Sequence, residues 1–132
     1  MERKNMMIVL AVILVLALYS CKDTSIDYSD GIYEEEDNYD ERGWKAKLKI
    51  EVVEGKISLV DYEEVNEDGD KKSEDKEYGK IMEETSGVSP EIAYELLESD
   101  YIEKQDIKKV DIITGATSSS ERFFKLAKKA IN

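Results

Sequence analysis

The stretch Trp44–Val65, WKAKLKIEVVEGKISLVDYEEV, decides the fold. In its first half Trp44, Ala46, Leu48, Ile50 and Val52 alternate with Lys45, Lys47, Lys49 and Glu51. A period of two sends the two sets to opposite faces of a strand, one half-buried and one solvated. Glu54-Gly55 then supplies a tight turn, and KISLVDYEEV runs back from it, so the pair reads as a β-hairpin.

Elements are placed outward from this hairpin. Upstream, DGIYEEEDNYDERG holds a short strand around Ile32–Glu34 and then an acidic loop. Downstream, Asp68-Gly69 closes a second loop. Ser73 is placed to cap a helix through Met82 that Gly87 ends. Ser89-Pro90 is an N-cap followed by proline at the first helical position. In the helix it opens, Ile92 and Leu96, and Tyr94 and Leu97, fall at helical spacing. KKVDII, ending at Ile113, reads as a short strand. Ser118-Ser119-Ser120-Glu121 has the form of a capping box opening a last helix. On that helix Phe123, Ala127, Ala130 and Ile131 face inward, while Arg122, Lys125, Lys128 and Lys129 are mostly outside. The expected architecture is a single α+β domain over residues 31–132: a small hairpin-rich antiparallel sheet with helices packed on one side.

Composition removes many chemistries. The 132 residues suit one domain, and the formal net charge of -12 makes nucleic acid and anionic membrane surface poor partners. The chain has no histidine and one cysteine. The usual general base near neutral pH is therefore missing, and no internal disulfide, zinc-thiolate cluster or iron–sulfur cluster can be built. Redox chemistry here requires a bound cofactor. The acidic runs EEEDNYDE and NEDGDKKSEDKE read as solvated surface, and the second lacks the spacing of a calcium loop.

Residues 1–20 read as a leader. Arg3 and Lys4 precede an apolar run from Met6 to Tyr19, 14 residues long. That suits an export signal and is short of the ~20 residues a spanning helix needs. Leu18-Tyr19-Ser20-Cys21 resembles a bacterial lipoprotein signal. The resemblance implies cleavage before Cys21 and acylation, palmitate for example, of that cysteine. Residues 21–30 then read as a polar tether, about 30 Å at full extension.

The stretch DIITGATSSS carries the remaining chemistry. Gly115 and Ala116 keep a corner sterically open before a helix start. The N–H groups and partial positive charge of such a start suit a phosphate. Thr117 stands beside it with an unhindered hydroxyl. Capping alone also accounts for a threonine and serines at this place.

Asp111-x-x-Thr114-Gly115-Ala116-Thr117 resembles the flavinylation motif of FMN-binding domains, Asp-x-x-(Ser/Thr)-Gly-Ala-(Ser/Thr). Such domains occur in Na⁺-pumping NADH:quinone reductase, in ferredoxin-linked complexes and in small extracytoplasmic lipoproteins. The resemblance extends over about residues 30–131. It implies covalent FMN as a phosphoester on Thr117, taken from FAD by a separate Mg²⁺-dependent flavin transferase. It makes Asp111, Thr114, Gly115 and Ala116 the recognition frame, and a phosphate on Thr117 would meet the N–H groups of Ser118, Ser119 and Ser120. It also implies an electron carrier, not a self-sufficient enzyme, lipid-anchored on the extracytoplasmic face of the cell membrane. The other partners are a membrane redox donor and an extracytoplasmic acceptor. Trp44, Tyr39 and Tyr78 are the aromatics first considered for contact with the flavin ring. The alternative is a surface or antigenic lipoprotein that acts as a binding module without flavin.

Acylation is tested at Cys21. Cys21→Ala is expected to lose labelled fatty acid and to move the protein from the membrane to the soluble fraction; unchanged membrane association would contradict the lipoprotein reading.

Overall fold

The computed structural model describes residues 25–131. The expected leader and Cys21 lie outside the described residues. Strands β1 (Gly31–Glu36), β2 (Lys45–Val53) and β3 (Lys56–Val65) form one antiparallel sheet in the order β1-β2-β3. Glu54 (φ 52°) and Gly55 (φ 76°) make the turn, both in the left-handed region that a two-residue hairpin turn of this type demands. Asp30 secures it, accepting from the Glu54 N–H (3.1 Å) and the Gly55 N–H (2.8 Å).

The alternation read from the sequence is the burial pattern observed. Ala46, Leu48, Ile50 and Val52 of β2 join Ile57, Val60, Tyr62 and Glu64 of β3 on the covered face. The open face pairs opposite charges across strands, Lys47 beside Glu36 and Glu63, and Lys49 beside Glu34 and Asp61. Such pairs support register and keep the face solvated. Three helices follow: α1 (Lys76–Ser86), α2 (Pro90–Lys104) and α3 (Thr117–Ala130). Helix α2 lies on β3, and α3 lies on β2 and β1, closing a core of edge-to-face aromatics. Phe123 meets Tyr62 at 5.4 Å and Tyr101 at 5.9 Å between ring centroids. Helix α1 has no fully buried residue and stands off the sheet. The single α+β domain is as expected. No described helix is long and apolar enough to cross a membrane.

Several local expectations are corrected. Helix α1 is capped not by Ser73 but by Asp75, which accepts from the Tyr78 N–H (2.9 Å). The Ser73 hydroxyl is drawn instead to Glu63. Gly87 ends α1 as read, in the left-handed conformation (φ 82°). On α2, Tyr94 and Leu97 are buried with Ala93 and Tyr101, whereas Ile92 and Leu96 are exposed. The segment KKVDII is not a strand. It is a 3₁₀ turn (Ile107–Lys109) followed by irregular chain, because no sheet edge lies beside it to complete a ladder. Of the expected tether 21–30, the described part already touches the domain: Tyr28 donates its N–H to the Gly55 carbonyl (3.0 Å) and its hydroxyl to the Gln105 carbonyl (2.8 Å).

Glu98 of α2 accepts from the Tyr62 N–H (2.8 Å), satisfying the outer edge of β3. Burial pushes its carboxyl up to about 7, and the charges of Asp61, Glu63 and Glu95 push the same way. The folded state therefore holds a proton that the unfolded chain releases at lower pH, so stability falls as pH rises from about 4.5 to about 7. Glu98→Gln keeps an acceptor for Tyr62 without the charge. Its unfolding free energy is expected to flatten over that range, as read by urea denaturation at stepped pH.

Candidate functional site

The corner before α3 is built by backbone geometry. The Ala116 N–H donates to the Ile113 carbonyl (2.9 Å), closing a turn in which Gly115 has φ 87°. A Cβ on Gly115 would collide with the Ser86 carbonyl oxygen and press on Val88. Glycine is needed twice here, for the left-handed backbone and for the close approach of the end of α1.

The expected capping box is not formed. Helix α3 begins at Thr117 with Ala116 as its N-cap, and no side chain caps it. Ser120 is spent elsewhere: its hydroxyl accepts from the Ile113 N–H (3.0 Å) and donates to the Ala116 carbonyl (2.8 Å), locking the corner to the helix. The N–H groups of Thr117, Ser118 and Ser119 therefore have neither an intrahelical partner nor a capping side chain, and the ladder starts with the Ser120 N–H on the Ala116 carbonyl (3.0 Å).

A groove of about 660 Å³ opens on this helix start. One wall is the corner itself, Gly115 to Ser119. The facing wall is α1, through Tyr78, Ile81, Met82 and Thr85. The acidic loop adds Asp40, Glu41 and Arg42, and Lys72 completes the lining. This volume is in the range of sites for small organic ligands and cofactors.

Below the groove lies an ionic cluster. The Glu64 carboxylate, with 1% of its side chain exposed, accepts from Lys72 (2.7 Å) and from the Tyr62 hydroxyl (2.9 Å), with Arg122 at 3.6 Å. Burial, and then the Glu64 charge, hold the Tyr62 phenol far above its ordinary value, so it remains a donor. Arg122, expected on the outside of α3, turns inward. It pairs with Asp37 through two 2.8 Å bonds and with Asp40 at 3.0 Å, and donates to the Trp44 carbonyl (2.9 Å). Burial opposes its charge, but Asp37 and Glu64 more than compensate and hold the guanidinium above its ordinary value. Asp37 and Asp40, read as solvated surface, are thus the anchors of the loop.

The residues singled out from the sequence divide. Gly115, Ala116, Thr117 and Ser118 line the groove, and Thr117 and Ser118 are exposed there. Asp111 and Thr114 face solvent outside it, the Asp111 side chain 90% exposed with Lys104 at 3.5 Å. Of the three aromatics, Tyr78 is in the groove. Trp44 stands behind it at 6.1 Å, and Tyr39 is turned away under the Lys45 ammonium. Ile81, Met82, Thr85 and Lys72 were not singled out. The helical spacing of Tyr78, Ile81, Met82 and Thr85 is a legible signal for a common face; nothing local marks Lys72.

Residues 43–132 match the FMN-binding domain family. The chain is 35% identical over 119 residues to the 15 kDa lipoprotein of Treponema pallidum (strain Nichols), covering 89% of this chain and 83% of that one. A crystal structure of a Clostridium perfringens protein superposes with a TM-score of 0.76 at 45% identity, over 79% of this chain and 86% of that one. A solution structure of a Clostridium thermocellum protein gives 0.52 at 32% identity, over 77% and 88%.

The corner can be tested without any ligand. Gly115→Ala is expected to destabilise the domain by about 2 kcal/mol or more, because it strains a left-handed residue and collides with Ser86. Thr114→Ala, exposed beside it, is expected to stay within about 0.5 kcal/mol of the parent in the same urea titration.

Proposed function

The chain belongs to the FMN-binding domain family, and on that premise we propose a membrane-anchored flavoprotein carrying FMN as a phosphoester on Thr117. It passes electrons between a membrane donor and an extracytoplasmic acceptor. The observation that carries this reading is the exposed Thr117 hydroxyl at an uncapped helix start on the rim of the groove.

The residues present fit the group. A phosphate on Thr117 would be held by N–H groups that no side chain of the protein satisfies, at the positive end of α3. Gly115 and Ala116 leave the space next to it free of bulky side chains. Tyr78, Ile81 and Met82 offer an aromatic and two apolar surfaces to a planar ring. The flavin, when bound, supplies the one- and two-electron chemistry that the side chains lack. In the attachment step the Thr117 oxygen gains the bond to phosphorus that the FAD pyrophosphate loses. AMP departs and the hydroxyl proton goes to solvent. Asp111 and Thr114, turned away from the groove, are free to be read by the transferase.

Anchoring is supported by the lipoprotein-like signal before Cys21 and by a relative whose name is lipoprotein. A covalent flavin on a lipid-tethered domain keeps its effective concentration near the membrane high without free cofactor. Two acyl chains or more make such an anchor stable.

Co-expression with a flavin transferase and export is expected to add the mass of FMN less one water, on the tryptic peptide containing Thr117. Thr117→Val should abolish loading with at most about 0.5 kcal/mol change in stability, since Thr117 caps nothing. Thr117→Ser should load in part. An unshifted mass in every form would favour a flavin-free binding module; flavin mapped to Thr114 or Ser118 would overturn the site.

A further inference from the structure

Lys72 is a lysine in an unusual position. Its side chain is 8% exposed, its ammonium is 2.7 Å from Glu64, and the same nitrogen lies 5.0 Å from the Tyr78 ring centre and 5.5 Å from that of Trp44. It also lines the groove, whereas Glu64 does not. Of this pair the lysine is the one that meets the groove; of the carboxylates in the lining, Asp40 is paired with Arg122 (3.0 Å) and Glu41 is exposed on the loop. The other cation of the lining, Arg42, is exposed on the loop and free to be solvated.

We propose that Lys72 sets the reduction potential of the flavin carried on Thr117, by presenting a fixed positive charge to the ring. This rests on the function proposed above. Reduction brings two electrons and at least one proton to the isoalloxazine and leaves it electron-rich, with negative charge at neutral pH. A cation that cannot move away stabilises that form over the neutral oxidised one. Enclosure strengthens the effect, because little water screens the charge. The aromatic faces of Trp44 and Tyr78 and the Glu64 carboxylate fix where the ammonium sits. Glu64 tempers the charge from behind, so the two residues act on the potential with opposite sign.

A purely structural role for Lys72, as the partner of a buried carboxylate, predicts changes in stability alone. The experiment is spectroelectrochemical titration of flavin-loaded protein, with loading first established by intact mass. Lys72→Met is expected to lower the midpoint potential by at least the equivalent of a tenfold loss in relative stabilisation of the reduced form, about 30 mV for a two-electron couple. Glu64→Gln, which keeps the lysine and removes its counter-charge, is expected to raise it. Lys72→Arg should stay close to the parent. If Lys72→Met does not fold, the upward shift in Glu64→Gln still decides. Loaded variants whose potentials all equal the parent's would overturn the role of Lys72 and leave the flavin assignment standing. A parent protein that never gains flavin would overturn both.

Discussion

The Glu64 carboxylate sits on the covered face of β3 with almost no access to water, and the segments around the groove are fixed by it. A buried carboxylate without partners is expensive, so the chain surrounds this one with the Tyr62 hydroxyl, the Lys72 ammonium and the Arg122 guanidinium. Each partner brings a different piece of the molecule with it. Lys72 draws a second 3₁₀ turn, Lys72–Glu74, and the start of α1 toward the sheet. Arg122 brings α3, and through Asp37 and Asp40 it gathers the acidic loop. The walls of the groove are these same three segments. Removing one partner leaves a buried charge and unties a wall at the same time.

The motif before α3 has two sides. Asp111 and Thr114 point into solvent, while Gly115, Ala116 and Thr117 face the groove. This division fits the proposal that a transferase reads one side and the flavin lies against the other. One turn presents both sides, because the left-handed Gly115 reverses the chain two residues before Thr117.

The hairpin was legible because alternation over nine residues has only one strand-compatible arrangement, and Glu54-Gly55 admits only a tight turn. The Gly115-Ala116 bend before a helix start was legible for a similar reason, since its signal is local. What failed depended on partners far along the chain. Val110–Ile113 has strand-like residues but no sheet edge beside it. Ser118–Glu121 has the letters of a capping box, yet the helix starts earlier because Ser120 is tied to Ile113 and Ala116. Arg122 lies on what helical periodicity marks as the outer side of α3, but its acidic partners stand 85 and 82 residues away. Lys72 carries no sequence mark, because its importance comes from Glu64, Trp44 and Tyr78 converging on it in space.

The most direct measurement of the account compares backbone amide resonances of the protein before and after flavin loading. The account predicts that the largest shifts fall on Thr117, Ser118 and Ser119, with a second group on Tyr78, Ile81 and Met82, and that the open face of the sheet around Lys47 and Asp61 stays unchanged. Shifts centred on the open face, with the start of α3 undisturbed, would contradict it.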